Sequence, residues 1–374
     1  MVRNSLGRQL PQRFNGQQVI PYQDPYSLQP ACNHATRPLR RVNPGQSKRL
    51  GSLREAVEAA GLKDGMCIAT HHHLRNGDAL LAAIVKELDA LGLRDIKIAS
   101  SSIHPVHAEL IPYIQKGVIG GFECGVNGLI GEQVSKGELQ CPIIVRTHGG
   151  RARAMMSGQV QIDAAFIAAP TCDHYGNMTG AFGPSACGSL GYAHTDARFA
   201  KTVIAVTDNL VPYPAPSFAI EQTLVDYVVE VESLGDPQKI VSTTTRITRD
   251  PVGLQIAKYA AEVIEISGLL KDGFSFQTGS GGISLAVADQ VRQKMTQQQI
   301  KGSFGCGGIT GYFVDMLEEG LFQTLFDVQC FDLKAVESIR TNPGHQEISA
   351  DMNQGASAGG LASMAIPLSL RILI

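Results

Sequence analysis

A segment that occurs twice, 208 residues apart, constrains the fold of this chain more than any other feature. Leu62-Lys-Asp-Gly65 precedes a short apolar run that ends at Thr70, and Leu270-Lys-Asp-Gly273 precedes one that ends at Thr278. Each threonine is followed by a polar or glycine-rich loop, and each loop leads into a stretch with helical periodicity. Because chance seldom supplies the same strand, loop and helix at one offset, the repeat predicts two related α/β domains.

Helix and strand patterns alternate along the chain around these two segments. Ser52 and Glu55 form a capping box, and Gly61 predicts the end of the helix that they begin. Strands are predicted at 66–70, 96–99, 143–146, 164–168 and 202–207, and helices at 79–91 and 284–295. Such alternation is typical of a parallel sheet with covered faces, so the predicted fold class is α/β with two related parallel-sheet domains.

Three regions are predicted from these boundaries. Residues 1–50 carry prolines throughout and end in a basic stretch, so they are predicted to form an arm that lies over the surface or reaches a partner subunit. Residues 51–234 are predicted to be the first domain and residues 235–374 the second. Since the first copy takes about 180 residues, the second is expected to be incomplete. The apolar end of the chain is alternatively a last strand or helix of a shorter second domain.

Composition argues against several classes of protein. The 32 Lys and Arg residues against 34 Asp and Glu leave a net charge of −2, so nucleic acid is not an expected partner. No apolar run is long enough to cross a membrane, and the first thirty residues lack the apolar core of a secretory signal. Eight cysteines without a CxxC pair favour a reduced, cytoplasmic protein with no zinc site.

The first candidate site is the polar loop that follows the first repeated strand. It contains His71, His72 and Arg75, which are hydrogen-bond donors or cations. Asn76 and Asp78 lie where the next helix is predicted to begin. Ligands of open α/β sheets bind outside the carboxyl ends of strands, and a helix start favours an anion. We interpret the loop as a contact for an anionic substrate. Ordinary packing is one alternative and a metal site is another, although adjacent side chains on a strand point to opposite faces.

A glycine-rich loop occupies the equivalent position in the second copy. Gly279, Gly281 and Gly282 allow backbone N–H groups to approach a phosphate or an oxyanion, and the alternative is a turn without a ligand. His148 and Arg151 follow another predicted strand and add two further polar side chains at a strand end. The candidate site is therefore predicted to combine side chains of the first domain with backbone groups of the second.

Motifs spread from Ser52 to Ala350 together match one known family. They include His71-His72 with Arg75 and Gly77-Asp78, His148-Gly-Gly-Arg151, Cys187-Gly-Ser-Leu-Gly-Tyr192, Gln277-Thr-Gly279 with Gly281-Gly282, Gly307-Gly-Ile-Thr310 and Glu347-Ile-Ser-Ala350. On these motifs the chain resembles the alpha subunits of citrate lyase, the citrate CoA-transferase component. The resemblance is expected to end after Ala350, where the tail is interpreted as truncated or frame-shifted.

The resemblance implies an acyl exchange. Acetyl, carried as a thioester on the phosphopantetheine-type arm of an acyl carrier (gamma) subunit or on free CoA, is replaced by citrate, and acetate leaves. The citryl thioester then passes to the beta subunit. The implied fold is that of CoA-transferases with two sugar-isomerase-like domains. No covalently bound cofactor and no metal are expected, and a homo-oligomer is left open.

The resemblance also gives roles to the candidate residues. Backbone N–H groups of Gly279, Gly281 and Gly282 are expected to stabilise the oxyanion. The substrate carboxylates are expected to meet a set of polar side chains, namely His71, His72, Arg75, Asn76, Asp78, His148 and Arg151. Glu123 is considered for a covalent glutamyl route, and Cys306 for a nucleophilic thiol. Two alternatives stay open: a CoA-transferase for another carboxylic acid, and an inactive truncated subunit.

Overall fold

Two parallel sheets organise the protein, and each contains one copy of the repeat. The computed structural model describes residues 1–4, 7–14, 17–19, 39–40, 42–43, 46–71, 73–241, 246–279, 281–354 and 372–373. Among these residues, no helix is long and apolar enough to cross a membrane.

The first sheet has seven strands, and every neighbouring pair is parallel. In chain order the strands are β1 (Arg49–Leu50), β2 (Cys67–Ala69), β3 (Ile96–Ile98), β4 (Ile119–Phe122), β5 (Ala164–Ala168), β6 (Thr202–Thr207) and β7 (Tyr227–Glu230). Across the sheet they are ordered β1-β7-β6-β5-β2-β3-β4. The central strand β5 is buried along its whole length, as expected for a continuous apolar strand covered on both faces.

The second sheet has five parallel strands. They are β8 (Ser275–Gln277), β9 (Gly302–Ile309), β10 (Phe322–Cys330), β11 (His345–Glu347) and β12 (Ile372–Leu373). Their order across the sheet is β11-β10-β9-β8-β12. Buried phenylalanines of this half, among them Phe276, Phe313 and Phe322, stack in its core.

Helices cover the sheets and connect their strands. The α-helices are α1 (Leu53–Ala59), α2 (Leu80–Ala90), α3 (Ile111–Gln115), α4 (Leu129–Ser135), α5 (His148–Met156), α6 (Gly191–Phe199), α7 (Pro251–Ile266), α8 (Gly282–Gln298), α9 (Gly311–Glu318), α10 (Leu333–Thr341) and α11 (Ala350–Gln354). Short 3-10 helices lie at Arg75–Gly77, Pro105–Leu110, Gln222–Leu224 and Pro237–Ile240. Helix α1 packs against α2, and α7 packs against α8, so the helices that flank the repeated strands also correspond.

The predicted repeat is confirmed by the register of the two sheets. Strand β2 lies between β5 and β3, and β8 lies between β12 and β9. Ile68 of β2 pairs with Ala164, and Phe276 of β8 pairs with Ile372. Both members of the second pair are therefore displaced by the same 208 residues. The loops that follow β2 and β8 consequently leave equivalent strand ends of one duplicated unit.

Several predicted elements are confirmed, and one is wrong. Ser52 caps α1 by accepting a hydrogen bond from the Glu55 amide at 3.2 Å. The strand predicted at 143–146 does not form, and only Ile143 makes a bridge, to Phe122 of β4. Arg146 forms an ion pair with Glu123, and the chain enters α5 at the next residue, Thr147, so little length remains for a strand. The helix predicted at 284–295 is longer and spans Gly282–Gln298.

The predicted N-terminal arm lies partly outside the described residues. Its described part contains two antiparallel pairs, Val2–Arg3 with Gln9–Leu10 and Arg13–Phe14 with Gln17–Gln18. Its last two residues form β1, which pairs with β7 at the edge of the first sheet. The basic end of the arm thus joins the first half of the protein.

Candidate functional site

Loops at the carboxyl ends of the two sheets meet where the halves of the protein contact each other. Gly191, at the start of α6, packs so closely that a Cβ there would lie 2.6 Å from the Cα of Val328. The Arg75 guanidinium of the first half lies over the Phe331 ring of the second, 4.8 Å from the ring centre. Tyr192 belongs to a small apolar cluster with residues of β9 and β10. This junction is where the carboxyl-end rule places a ligand site.

Two histidines of the loop after β2 are buried at this junction. His71 is 3% exposed and His73 is 2% exposed, and their ring centres are 4.2 Å apart. His71 Nε2 lies 3.2 Å from the Ala168 carbonyl oxygen. Burial lowers the pKa of His71 to about 4 and holds the pKa of His73 well below its usual value. Both imidazoles are therefore neutral at pH 7. His72, predicted to contact substrate, lies outside the described residues.

Ring nitrogens of the same two histidines lack partners. Within the part of the chain that the structure describes, His71 Nδ1 and both nitrogens of His73 have no hydrogen bond. A buried polar atom left unpaired costs about 1–3 kcal/mol, so such atoms call for a ligand or water that satisfies them. Sequence reasoning missed His73; the available signal was its place in the run of three histidines that follows β2.

The remaining residues of this loop have distinct surroundings. Arg75 has a φ of 55°, a left-handed conformation that bulky residues rarely adopt and that is frequent at functional sites. Asp78 accepts hydrogen bonds from the Leu81 amide at 3.3 Å and from His107 Nε2 at 3.0 Å. Its carboxylate thus anchors the start of α2 and a histidine that sequence reasoning did not single out. Asn76 and Asp78 line a separate cleft of about 610 Å³ in the first half.

Arg151 connects neighbouring elements of the first half through hydrogen bonds. Its Nε and Nη2 donate to the Ala99 carbonyl oxygen at 3.1 and 2.6 Å, and Nη2 also donates to Asp196 at 2.7 Å. Burial raises the pKa of Asp196 to about 6, against the opposing effect of Arg151. These bonds link the residue that follows β3 to α5 and α6. The predicted contact of Arg151 with substrate stays a prediction. His148 starts α5, with its ring 5.2 Å from that of Tyr192.

The glycine-rich loop lies at the start of α8. Gly281 caps this 17-residue helix and Gly282 is its first residue, so their N–H groups precede the helical hydrogen-bond ladder. A Cβ on Gly282 would lie 2.7 Å from the Arg246 carbonyl oxygen, which explains the need for glycine there. The loop begins after β8, whose Gln277 side chain contacts Cys306 with an S···O distance of 3.8 Å. Cys306 belongs to the same apolar cluster as Tyr192, which links β8 to the junction.

A cavity of about 550 Å³ opens between the two halves. The first half contributes Thr179, Ser217 and Phe218 to its lining, and the second contributes Arg340 and Asn342. A pair that joins the halves also lines it, with His194 Nε2 placed 3.1 Å from Glu347 Oε1. Neither His194 nor the carboxylate of Glu347 was predicted as a site group.

The two nucleophile candidates are both buried. Glu123 is 7% exposed and pairs with Arg146 at 3.1 Å, and Cys306 is 2% exposed. Among the described residues, no group of three or more His, Cys, Asp or Glu side chains is arranged to hold a metal ion.

Comparison with solved structures first identifies the class of protein. The alpha subunit of malonate decarboxylase from Acinetobacter baumannii shares the fold, with a TM-score of 0.62 and 15% identity over 88% of this chain and 60% of that chain. The two duplicated parallel sheets are thus those of a CoA-transferase-like α/β protein. A Streptococcus mutans chain, described as a citrate lyase alpha subunit in complex with citrate, is closer: its TM-score is 0.83, with 43% identity over 94% of this chain and 69% of that chain.

The family model for the alpha subunit of citrate lyase matches residues 46–370, and the chain belongs to that family. The citrate lyase alpha chain of Klebsiella pneumoniae is 44% identical over 329 residues, which make up 88% of this chain and 64% of that relative. The Escherichia coli alpha chain is 42% identical over 327 residues, or 87% of this chain and 64% of the relative. The chain therefore spans about 64% of the length of these relatives.

Proposed function

We propose that this protein is a citrate CoA-transferase that exchanges acetyl for citryl on a carrier thiol. The observation that carries the proposal is the set of unpaired, buried imidazole nitrogens of His71 and His73 at the junction of the two sheets. They offer hydrogen bonds to a small polar ligand, and a relative that is 43% identical was solved in complex with citrate. A neutral imidazole has one N–H donor and one acceptor nitrogen, so His73 can donate one hydrogen bond and the free nitrogens of His71 and His73 can accept.

In the proposed reaction a citrate carboxylate attacks the carbonyl of the acetyl thioester. The thiolate leaves, and a mixed anhydride of citrate and acetate remains. The thiolate then attacks the citryl carbonyl of the anhydride, which gives citryl thioester and acetate. Arg75 and one N–H of neutral His73 would donate to citrate carboxylates. His71 donates its own N–H to the Ala168 carbonyl oxygen, so its Nδ1 would accept a hydrogen bond from the citrate hydroxyl group. The N–H groups of Gly281 and Gly282 would stabilise the oxyanion of each tetrahedral intermediate.

The thioester is proposed to arrive on the phosphopantetheine-type arm of an acyl carrier (gamma) subunit. The cavity between the halves suits such an arm, because hydroxyl and amide side chains line it beside the aromatic ring of Phe218. The exchange would take place in the cytoplasm, within a complex that also contains a beta subunit to cleave the citryl thioester. This assignment of partners rests on family membership.

The direct test supplies the purified chain with acetyl thioester of the carrier, and separately with acetyl-CoA, together with a panel of carboxylic acids. Loss of acetyl thioester that depends on citrate supports the proposal. Loss that depends on another acid instead identifies a CoA-transferase for that acid. If no acid promotes loss, even with the beta and carrier subunits present, the chain is an inactive subunit and the proposal is wrong.

Replacement of Arg75 tests the citrate contact. Asn tolerates the left-handed backbone at this position, so Arg75→Asn removes the guanidinium without adding strain. A hydrogen bond to a charged group contributes about 1.5–3 kcal/mol, so the KM for citrate should rise about 10- to 100-fold. Arg54→Asn, at an exposed ion pair with Glu87, is the matched control. An unchanged KM in Arg75→Asn would remove Arg75 from the site.

A further inference from the structure

A contact across the junction joins the Arg75 guanidinium of the first half to an aromatic ring of the second. Arg75 is 9% exposed, and its Cζ lies 4.8 Å from the centre of the Phe331 ring. Phe331 directly follows β10. A cation over a ring face within about 6 Å of the ring centre is attracted to the electron-rich ring, and more strongly where water is excluded. The contact is therefore a cation–π interaction between the two halves.

The backbone at Phe331 is fixed to the second half. The Phe331 N–H donates to the Ile309 carbonyl oxygen at the end of β9, at 2.8 Å. The next residue, Asp332, accepts a hydrogen bond from the Gly311 amide at 2.6 Å and caps α10 by accepting another from the Ala335 amide at 2.9 Å. These bonds connect Phe331 to the sheet on one side and to two helix starts on the other, so the ring is attached to a rigid part of the fold.

Gly308 of β9 makes room for the Phe331 ring. A Cβ on Gly308 would overlap the outer ring atoms Cε2 and Cζ, and the three atoms nearest to it all belong to Phe331. Gly308 does not have a left-handed φ, so glycine is needed there for space rather than for backbone conformation. A larger residue at this position would displace the ring from its contact with Arg75.

The chemistry of the contact suits an arginine that binds an anion. Burial lowers the pKa of the Arg75 guanidinium, so its charge needs a stabilising neighbour. A carboxylate in the place of Phe331 would compete with a carboxylate ligand for the same N–H groups. A ring face attracts the cation but brings no negative charge, so the guanidinium keeps its attraction for a carboxylate ligand. The left-handed backbone of Arg75 also persists only where surrounding contacts hold it.

We propose that Phe331, seated on Gly308, is a positioning residue that orients the Arg75 guanidinium for a carboxylate of citrate. The inference rests on the proposed citrate contact of Arg75 and extends it, because it makes the second half a determinant of citrate affinity. Phe331 acts through the guanidinium, and Gly308 acts through the ring. Neither residue needs to touch citrate.

Citrate binding to the full chain, measured by isothermal titration calorimetry, tests the proposal. Phe331→Leu keeps an apolar side chain but removes the ring, and it should raise the dissociation constant about 5- to 30-fold. Phe331→Tyr keeps the ring and should stay within about threefold of the wild type. Phe326→Leu is the matched control, because the Phe326 ring belongs to β10 but contacts Phe304, at 5.3 Å between ring centres. It should leave the dissociation constant unchanged.

Gly308→Ala provides a second measurement, because it moves the ring without altering it. It should raise the dissociation constant about fivefold or more. In the Arg75→Asn background, neither Phe331→Leu nor Gly308→Ala should weaken citrate binding further, since both act through the guanidinium that this variant lacks. Far-ultraviolet circular dichroism spectra of all variants should match the wild type.

The outcomes separate this inference from the proposed function. If Arg75→Asn weakens citrate binding but Phe331→Leu and Gly308→Ala do not, the positioning role is wrong and the citrate contact stands. Full additivity of Phe331→Leu with Arg75→Asn would also overturn the inference, because Phe331 would then act independently of the guanidinium. A chain that does not bind citrate overturns both proposals. A chain that binds citrate through Arg75 but transfers no acetyl contradicts only the proposed function.

Discussion

Replacement of Arg151 by Met tests whether Arg151 stabilises the fold or contacts substrate. The change keeps most of the side-chain volume but removes three hydrogen bonds, two to the Ala99 carbonyl and one to Asp196. The Asp196 side chain is 1% exposed, and within the described residues its Oδ2 has no hydrogen bond, so Arg151 is the cation that compensates it. Leaving a buried charge without its partner costs about 3–5 kcal/mol. We expect the free energy of unfolding to fall by about 4 kcal/mol at pH 8, within the range set by that penalty.

The loss should depend on pH. Burial already raises the pKa of Asp196 to about 6, and removal of Arg151 raises it further. A carboxyl group with a raised folded-state pKa favours the folded state at low pH and loses that effect as the pH rises. The variant should therefore lose less stability at pH 5, where Asp196 is protonated, than at pH 8. Urea unfolding followed by far-ultraviolet circular dichroism measures both values.

Two results would refute this reasoning. One is a loss below about 1 kcal/mol that is the same at pH 5 and pH 8, since a buried pair cannot be broken so cheaply. The other is normal stability combined with a raised KM for citrate, which would return Arg151 to the binding site. Arg151→Met/Asp196→Leu is the control, because an apolar pair of similar volume should recover most of the lost stability.

Three further predictions concern the junction. Because the pKa of His71 is lowered to about 4 from 6.5, stability should fall as the pH drops through that window, by at most about 3 kcal/mol, and His71→Phe should flatten that part of a urea-unfolding pH profile. His73→Leu should raise the free energy of unfolding by about 1 kcal/mol, because two unpaired ring nitrogens are removed, and it should lower citrate-dependent turnover. A lower free energy of unfolding would show instead that a buried water already satisfies these nitrogens. Gly282→Ala should lower the melting temperature, because the added Cβ would clash with the Arg246 carbonyl oxygen. Gly281→Ala is the control and should leave the melting temperature unchanged, because the nearest atom to its Cβ would be 3.9 Å away. Equal melting temperatures for the two variants would contradict the close approach of the Arg246 carbonyl to Gly282.

The sequence predicted those parts of the fold that depend on local pattern. The two copies of the repeat, the cap at Ser52 and the strands β2, β3, β5 and β6 follow from periodicity and turn residues within short windows. The strand expected at 143–146 was wrong because this segment makes a single bridge, from Ile143 to Phe122, before α5 begins at His148. An apolar run alone does not reveal whether a neighbouring strand pairs with it along its whole length.

The residues of the candidate site could also be predicted only where a local sequence pattern marks them. The glycines at the start of α8 and the polar loop after β2 were found because strand-to-helix junctions are visible in sequence. The partners of Arg151 were not, since Ala99 and Asp196 lie 52 and 45 residues away. Likewise, His194 and Glu347 come from different halves, and only the folded chain brings them within 3.1 Å. His73 is the exception, because it belongs to the same short run of histidines as His71.

The duplicated unit explains where the two halves differ. Ala56 of α1 and its counterpart Ile264 of α7 are both buried, and close packing favours apolar residues at such positions. Loops at strand ends and outer helix faces have no such restriction. At these positions the first half carries histidines after β2 and exposed glutamates on α1, whereas the second carries glycines after β8 and exposed apolar side chains on α7. A single scaffold used twice can therefore carry different chemical groups at equivalent loops and on equivalent helices.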